Sequence, residues 1–501
     1  MDRSALYAPT RAHLTVLCVL LADAVAAQLQ IDPAYAPQLQ QQVTHVREVM
    51  PIHDGRTVIV EHWPGGPGEA QFYNELACLQ SSGERDFGYA ALSNVITLVP
   101  WNDGAFYLWQ LNYPNYILRR HVASGANDPG YQISTTAWPG DYRIDDLQQV
   151  NADAQGRVYL VGSIKLLNSD GEVVSIRQVV RLDLNGALDP TFTPGLAPYL
   201  NAAFPLPDGR VLLSGSQSSY NGVPVPRVFV VHADGSLDTS FSTGFWTAHT
   251  TSVLPMPDGG LIATGRFINF ISLVELDTSF VVKLLPNGSQ DPEFDHDLRL
   301  FETWNSGAYT RAYSIVEWGD DHYLISGDFD EVNGYPRRGM AMIDRHGALV
   351  LDQCDWPGPG TVEGRVFLRL VKDGDDAVFA YGTFNGFNDG VTVRNTKGLV
   401  RFVRGTVDVS ERTSLRAPDI ALYPVPAKDR VFIHYLGWVE GDRADVTLLD
   451  AAGRVLRQWR PRITADLREQ IDLRSLSPGT YQVRVVMGSG VAVNRKFLLV
   501  P

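Results

Sequence analysis

Gly235-Ser236-Leu237-Asp238-Thr239-Ser240-Phe241 recurs along the chain, as Gly186-Ala187-Leu188-Asp189-Pro190-Thr191-Phe192 and as Gly288-Ser289-Gln290-Asp291-Pro292-Glu293-Phe294. Worn copies stand at Asp86-Phe87-Gly88-Tyr89 and Asp128-Pro129-Gly130-Tyr131. Self-similarity at a period of about 50 residues marks one supersecondary unit repeated and stacked on its neighbours.

A second signature interleaves with the first. An Asp-Gly turn, or an equivalent, precedes a strand at Asp54-Gly55, Asp103-Gly104, Gln155-Gly156, Asp208-Gly209, Asp258-Gly259, Asp320-Asp321 and Asp373-Gly374. Gly and Asp suit hairpin turns, whose positive φ other residues resist. Together the two signatures make a unit of four strands. In the fourth unit these run over 200–206, 210–215, 227–232 and 236–241, with a long loop at 216–226. The β-branched and aromatic content fits half-buried strands. Tandem four-stranded meanders at this spacing predict an all-β chain built around a β-propeller of seven blades, with an elongated β-solenoid as the competing arrangement.

Closure favours the ring. The seventh unit ends on Gly405-Thr406-Val407-Asp408-Val409, which lacks the Asp-x-x-aromatic ending. The missing piece stands near the N-terminus, where Ile31-Asp32-Pro33-Ala34-Tyr35 parallels Leu188-Asp189-Pro190-Thr191-Phe192. The N-terminal segment is therefore expected to supply the outer strand of the last blade. The repeated Asp reads as a turn former whose short side chain accepts backbone N–H groups. The aromatic reads as a wedge between neighbouring blades.

These motifs resemble the delta-60 repeat family of β-propellers, whose unit runs as a DG-strand, a glycine-rich loop and an "RLN-DG-SLD-SF" hairpin. Gly327-Asp328-Phe329, Val332-Asn333-Gly334, Val180-Arg181-Leu182-Asp183 and Gly382-Thr383-Phe384 also fit it. The likeness spans roughly 29–410 and weakens in units one and two, where Arg85 and Asn127 replace the usual Leu. It implies a fold and no common activity.

A net charge of −14 argues against a nucleic-acid or anionic-membrane binder, which needs a basic surface. Residues 1–27 have the form of a secretory signal: Arg3 and Arg11, a short apolar run from Leu14 to Leu21, then Ala24-Val25-Ala26-Ala27. Cleavage is expected after Ala26 or Ala27; the run is too short for a membrane span. Only Cys78 and Cys354 follow, too few for a disulfide framework, and no Cys-x-x-Cys or His pair offers a zinc site.

After the propeller (28–409) and a polar linker (410–418) the pattern changes. Residues 419–501 alternate like an antiparallel β-sandwich. Their landmarks are Tyr423-Pro424-Val425-Pro426, Gly453-Arg454, Pro478-Gly479-Thr480-Tyr481 and Lys496. In order and extent these resemble the type A sorting domain of the type IX secretion system of Bacteroidota, although Val425 stands where that family usually has Asn. The resemblance implies partners, the secretion machinery and a sortase-like peptidase that removes this domain, and a secreted or cell-surface location. An ordinary fibronectin-like binding module is the alternative.

Both Asp-Gly turns of a blade fall at one end. The long second-to-third loops and the blade-to-blade crossovers lie at the other, where propellers commonly bind ligands. Trp138, Tyr199, Trp246 and Trp304 occupy comparable crossover positions and are the candidate ligand-binding residues, for sugar rings or peptide side chains. Wedging between blades is their structural alternative. Asp145, Asp146, Asp295, Asp297 and Glu302, with His296, are the carboxylate candidates for a hydrolase or lyase acting on extracellular polysaccharide, a chemistry that needs two carboxyl groups about 5–10 Å apart. Asp328-Phe329-Asp330-Glu331 lacks the spaced ligands of an EF-hand, and neither a nucleophile elbow nor a phosphate loop is present. The sequence-level expectation is a monomeric, non-catalytic module that binds glycan or protein and needs no cofactor or metal.

Overall fold

The computed structural model describes residues 29–500 except 65–71, 90, 102–103, 113–114, 135–141, 273–274, 304–309, 320, 352, 355, 357, 363–364, 390–391, 406–418, 424–426, 437–442, 464–467 and 488–491. Ala26, Ala27, Trp138, Trp304, Pro424, Pro426 and the 410–418 linker lie outside the described residues. The described residues are all-β, and every strand pairing between them is antiparallel apart from one isolated parallel bridge, Ala427 with Leu499. Among the described residues, seven main sheets follow one another before the C-terminal module, with two small ones at the loops of the fourth and sixth, Ser219–Tyr220 with Val223–Pro224 and Leu300–Phe301 with Glu331–Val332 and Tyr335–Pro336. In the fourth, Leu200–Pro205, Val211–Gly215 and Val228–Val231 pair in that order.

The outermost strand is shorter than the repeat predicts. In the third to sixth sheets it shrinks to one bridge, such as Val231 with Leu237. In the third, fourth and fifth sheets the reason is the next residue, an Asp; the sixth has Val350 there. Asp238 accepts the Ser240 N–H on Oδ1 (2.9 Å), and that turn bends the chain away from the sheet. The same bond, from the N–H two residues on, forms at Asp32, Asp86, Asp128, Asp189 and Asp291. Their Oδ2 atoms face a cation: Arg56 at 3.6 Å, Arg120 at 2.7 Å, Arg181 at 2.7 Å, Arg210 at 3.0 Å and Lys283 at 2.8 Å. Asp32 takes Arg401.

The aromatic then enters the gap between blades. Phe192 packs edge-on to Tyr159 of its own blade, in a cluster with Val211 and Leu213 of the next. Phe241, Phe294, Tyr89 and Tyr131 sit in the corresponding clusters. The residue after the aromatic reaches the next blade's turn: Thr193 N–H donates to Asp234 O (2.8 Å), Ser242 to Asn287 O (2.9 Å) and Asp295 to His346 O (2.6 Å). Gly235 follows one such carbonyl at φ +88, and a Cβ there would lie 2.8 Å from the Thr193 and Pro194 backbone. Any side chain at that position would push the two blades apart.

Leu29–Ile31 pairs with Val393–Arg404, the third strand of the last sheet, with Ile31 opposite Phe402. The N-terminal segment thus completes a blade whose other strands come more than 300 residues later. Tyr35 is buried edge-on against Phe379 (5.2 Å) in a cluster with Val46 and Ile59 of the first blade. Ala36 N–H donates to Ser82 O (2.9 Å), repeating the link made by Thr193. First and last blades therefore join through the same contacts as any other pair, which closes the β-propeller.

Residues 419–500 form two packed sheets. One holds Asp419–Tyr423, Arg430–Leu436 and Arg468–Asp472; the other holds Ala444–Asp450, Val455–Trp459, Gly479–Met487 and Ala492–Leu499. Alternate residues such as Val431, Ile433, Val446, Leu448, Val483 and Val485 fill the space between them.

Tyr35→Ala removes the aromatic wedge at the ring's seam. It is expected to destabilise the propeller by about 3–5 kcal/mol, the usual cost of truncating a large core side chain. Chemical denaturation checks this; an unchanged midpoint would mean that the seam does not hold the ring.

Candidate functional site

Of the aromatic candidates, Tyr199 and Trp246 are described. They precede the first strands of the fourth and fifth blades and are 75% and 55% exposed. Both flank the 216–227 loop. Ser216 N–H donates to Tyr199 O (2.9 Å), and Arg227 Nε donates to Trp246 O (2.9 Å). Arg227 also donates to the Ser216 and Gln217 carbonyls, tying the loop to itself. Tyr199 adopts φ +70, a conformation unfavourable for a non-glycine residue. Two aromatic side chains thus stand in solvent on a backbone fixed by hydrogen bonds.

The carboxylate candidates scatter. Asp145 and Asp146 are not on a crossover; they lie at a bulge within the first strand of the third blade, Tyr142–Ala152. Asp145 pairs with Arg143 (3.1 Å) and Lys165. The Asp295 backbone makes the blade-to-blade link and its Oδ1 accepts the Asp297 N–H (3.1 Å), while His296 Nε2 contacts Asp291 O (2.9 Å). These residues shape a turn. Glu302 differs: it is 8% exposed, and among the described residues no group donates to its Oε1.

Glu302 lines a cavity of about 610 Å³ between the sixth and seventh blades, at their crossover end. The 5-to-6 crossover is pinned there by Asp330, which accepts the Thr303 N–H (3.0 Å) and hydroxyl. Asp328 follows Gly327 at the end of the second strand. A Cβ at Gly327 would meet Arg311 O at 2.1 Å, so only glycine lets the strands come this close. Asp328 accepts the Arg311 N–H (2.6 Å) and the Tyr313 hydroxyl (3.0 Å). Burial pushes its carboxyl up to about 6, against the pull of those two bonds. In the sequence Asp328 stands in a repeat motif and in a calcium-like run, neither of which marks it as a site residue. The signal for its role lay in the repeat itself: Ser163, Ser216, Arg266, Asp328 and Thr383 all follow a second-strand glycine, a fixed place with a changing side chain.

The first strands surround a central channel of about 910 Å³. Its polar side chains staple neighbouring blades. Gln149 Oε1 accepts the Ala203 N–H (2.7 Å), Thr251 Oγ1 donates to Ala312 O (2.6 Å) and Ser314 Oγ accepts the Leu370 N–H (3.1 Å). Arg369 lies over Tyr313 and Phe367, each at 5.6 Å, where the channel meets the 6–7 cavity. Burial raises the Glu48 carboxyl pKa despite Arg369 and Arg47 beside it. Among the described residues no group of three His, Cys, Asp or Glu side chains is placed to hold a metal ion.

In the C-terminal module, Gly453 and Arg454 form a hairpin turn: Gly453 has φ +78, and Asp450 Oδ1 accepts the Arg454 N–H (2.9 Å). Gly479 opens the strand that follows exposed Pro478, and the Tyr481 hydroxyl donates to Ser477 O (2.6 Å) while its ring stacks on Phe497. Lys496 is exposed on the edge strand, opposite Gln482, and Tyr423 ends the first strand.

Residues 421–499 match the secretion system C-terminal sorting domain family, and 206–241 match the "Domain of unknown function (DUF5122) beta-propeller" family. The molecule is thus a β-propeller joined to a sorting domain. That domain engages the type IX secretion machinery and directs export to the cell surface or the extracellular space. No curated protein matches. Among solved structures, prolyl oligopeptidase B from Galerina marginata is 10% identical with a TM-score of 0.36, over 67% of this chain and 46% of that one. A protein of unknown function from Bacteroides caccae is 12% identical with a TM-score of 0.24, over 50% of this chain and 84% of that one. The chain spans less than half the length of the oligopeptidase.

Asp328 gives stability a pH dependence. Below about pH 3 its carboxyl is largely neutral in the folded and unfolded chains alike. As pH rises the unfolded chain ionises first, and the folded one only near 6. Folding is therefore disfavoured progressively through that window. Asp328→Asn keeps an acceptor for Tyr313. It should leave stability nearly unchanged at pH 3 and raise it by about 1–3 kcal/mol at pH 7.5. Urea unfolding at the two pH values reads this; an equal change at both would overturn it.

Proposed function

We propose that the chain is a non-catalytic binding module, exported by type IX secretion, that holds a glycan or protein ligand on the crossover face of its propeller. The observation that carries this is the pair Tyr199 and Trp246, exposed beside one hydrogen-bonded loop. Rigid aromatic side chains give large contact area at small entropic cost, and their faces stack on sugar C–H groups or peptide side chains. Trp138 and Trp304 stand at comparable crossover positions of the repeat in the sequence and belong to the same proposed set. In this reading residues 1–27 are a secretory signal cut after Ala26 or Ala27, a sortase-like peptidase removes 419–501 after export, and the mature protein is a monomer. A second reading, an extracellular polysaccharide hydrolase or lyase, is favoured by Asp328, a carboxyl that titrates near 6 inside a cavity it shares with Glu302.

The double variant Tyr199→Ala and Trp246→Ala should lower binding to a glycan array, or to extracellular matrix protein, tenfold or more while leaving the unfolding midpoint unchanged. Retained binding would remove the aromatic face as the site. Release of reducing ends or unsaturated products from polysaccharide would favour the enzyme. A chain ending at Ser410 is expected to accumulate in the periplasm; normal export of that form would remove the sorting role.

A further inference from the structure

We propose that the mouth of the central channel binds the carboxylate of an acidic saccharide, through Arg47 of the first blade and Arg369 of the seventh. Neither residue belongs to the Tyr199 and Trp246 face, and the saccharide class rests on the glycan branch of that reading.

A repeated irregularity builds the site. In the first six blades the first strand carries one extra residue at the same place: Arg47, Ile96, Gln148, Asn201, Thr251 and Tyr313. The seventh blade has no such shift, and Arg369 directly follows Leu368, the residue opposite Gly382. A bulge breaks the alternation of a strand and re-aims a side chain. All seven of these side chains line the channel, and the first strands enter it from the crossover end. The backbone device is constant while its side chain changes, which is how a repeated frame carries a specific site.

Positive charge gathers on one side of this ring. Arg47 and Arg369 come from the two blades that meet at the seam, and both also line a side cavity of about 290 Å³ there. The clasp arginines Arg120, Arg181 and Arg401 each hold a carboxylate. These two hold none: among the described residues Arg47 makes neither an ion pair nor a hydrogen bond, and Arg369 rests on the Tyr313 and Phe367 rings without an ion pair. Glu48 stands beside them, but no ion pair joins it to either. A guanidinium fork matches the two oxygens of a carboxylate. The other walls narrow the ligand. Glu48 adds an acceptor, Gln148 an amide that both donates and accepts, and Ile96 an apolar surface between them. A hydroxyl-bearing ring with one carboxylate meets every wall, its charge on the arginines and its hydroxyls on Glu48 and Gln148. A phosphate dianion would set two charges against Glu48 and leave Ile96 uncovered. The channel volume of about 910 Å³ lies in the range of small-molecule sites. The aromatic rings under Arg369 hold its side chain in place before a ligand arrives, which lowers the entropic cost of binding.

In the test, the full chain is titrated by calorimetry with glucuronate, galacturonate and their di- and trisaccharides. Glucose and galactose oligomers, inorganic phosphate and a glutamate-rich peptide are the comparisons. At least one uronate saccharide is expected to bind, tenfold or more tighter than its neutral counterpart, and to weaken as salt is raised. Arg47→Gln should weaken it tenfold or more, and Arg369→Gln likewise. Arg369→Lys, which keeps the charge and loses the fork, should weaken it severalfold. Arg47 is exposed, so its variant carries the test if Arg369→Gln does not fold. Trp246→Ala should leave this affinity unchanged. Absence of uronate binding overturns the proposal, whether or not phosphate or the peptide binds in its place. Equal affinity for the neutral counterparts overturns it too, as does affinity indifferent to both arginine variants. Uronate binding lost in the Tyr199 and Trp246 variant but kept in both arginine variants would sink the channel site and leave the aromatic face standing. Uronate binding that needs Arg47, in a chain whose array binding ignores Tyr199 and Trp246, would uphold the channel site and remove the aromatic face.

Discussion

The propeller depends on one carboxylate used twice. One oxygen of Asp189 ends the outer strand by accepting the Thr191 N–H, and the other holds Arg181. The guanidinium then lies over the Phe192 ring (4.8 Å) and donates to Ala233 O of the next blade (2.8 Å). A turn, an ion pair, an aromatic wedge and an inter-blade bond thus meet at one point. Arg120 repeats the last step toward Leu184 O (2.8 Å). At Asp238, burial alone would raise the carboxyl's pKa, but the Ser240 hydroxyl and Arg210 outweigh it and hold the group ionised below its ordinary range.

The cation has two possible homes. It sits on the third strand in Arg120, Arg181, Lys283 and Arg401, eight residues before the Asp in the first three and opposite the N-terminal Asp32 in the last. Where that place holds Cys78 or Val230, an Arg just after the Asp-Gly turn, Arg56 or Arg210, takes over. The sixth blade has lost the whole set together. Val350 stands at the Asp position, with its N–H on Met342 O (2.9 Å), and Met342 stands where the cation would be. Both pack in an apolar cluster that Trp356 joins through Phe387 and Phe402. Loss of the acid without the base would leave a buried charge unpaired, so the two change as one.

Repeated and variable side chains separate in space. The clasp lies near the Asp-Gly end, where every blade must make the same contact with its neighbour. The crossover end carries no such constraint, and its side chains diverge: Tyr199 and Trp246 exposed, Glu302 and Asp328 enclosed. Their backbones are nonetheless tied to the strands beneath. Variable side chains on a fixed frame are what a binding surface needs.

The amino-acid order alone determined the repeating strand–turn unit, the N-terminal strand as the missing piece of the last blade, and the sorting module. Each is written in local periodicity, turn chemistry or motif order, which need no distant contact to be read. It also placed Tyr199 and Trp246 at crossovers. It did not show that Asp145 and Asp146 lie within a strand, that Asp295 works through its backbone, or that Glu302 and Asp328 face one cavity. Those facts depend on bulges and on which blades adjoin, and burial of a carboxylate is a property of its surroundings rather than of its neighbours in sequence. Tertiary structure decided them because only the closed ring brings the fifth-to-sixth crossover, the sixth blade's loop and the seventh blade's first strand together around one cavity.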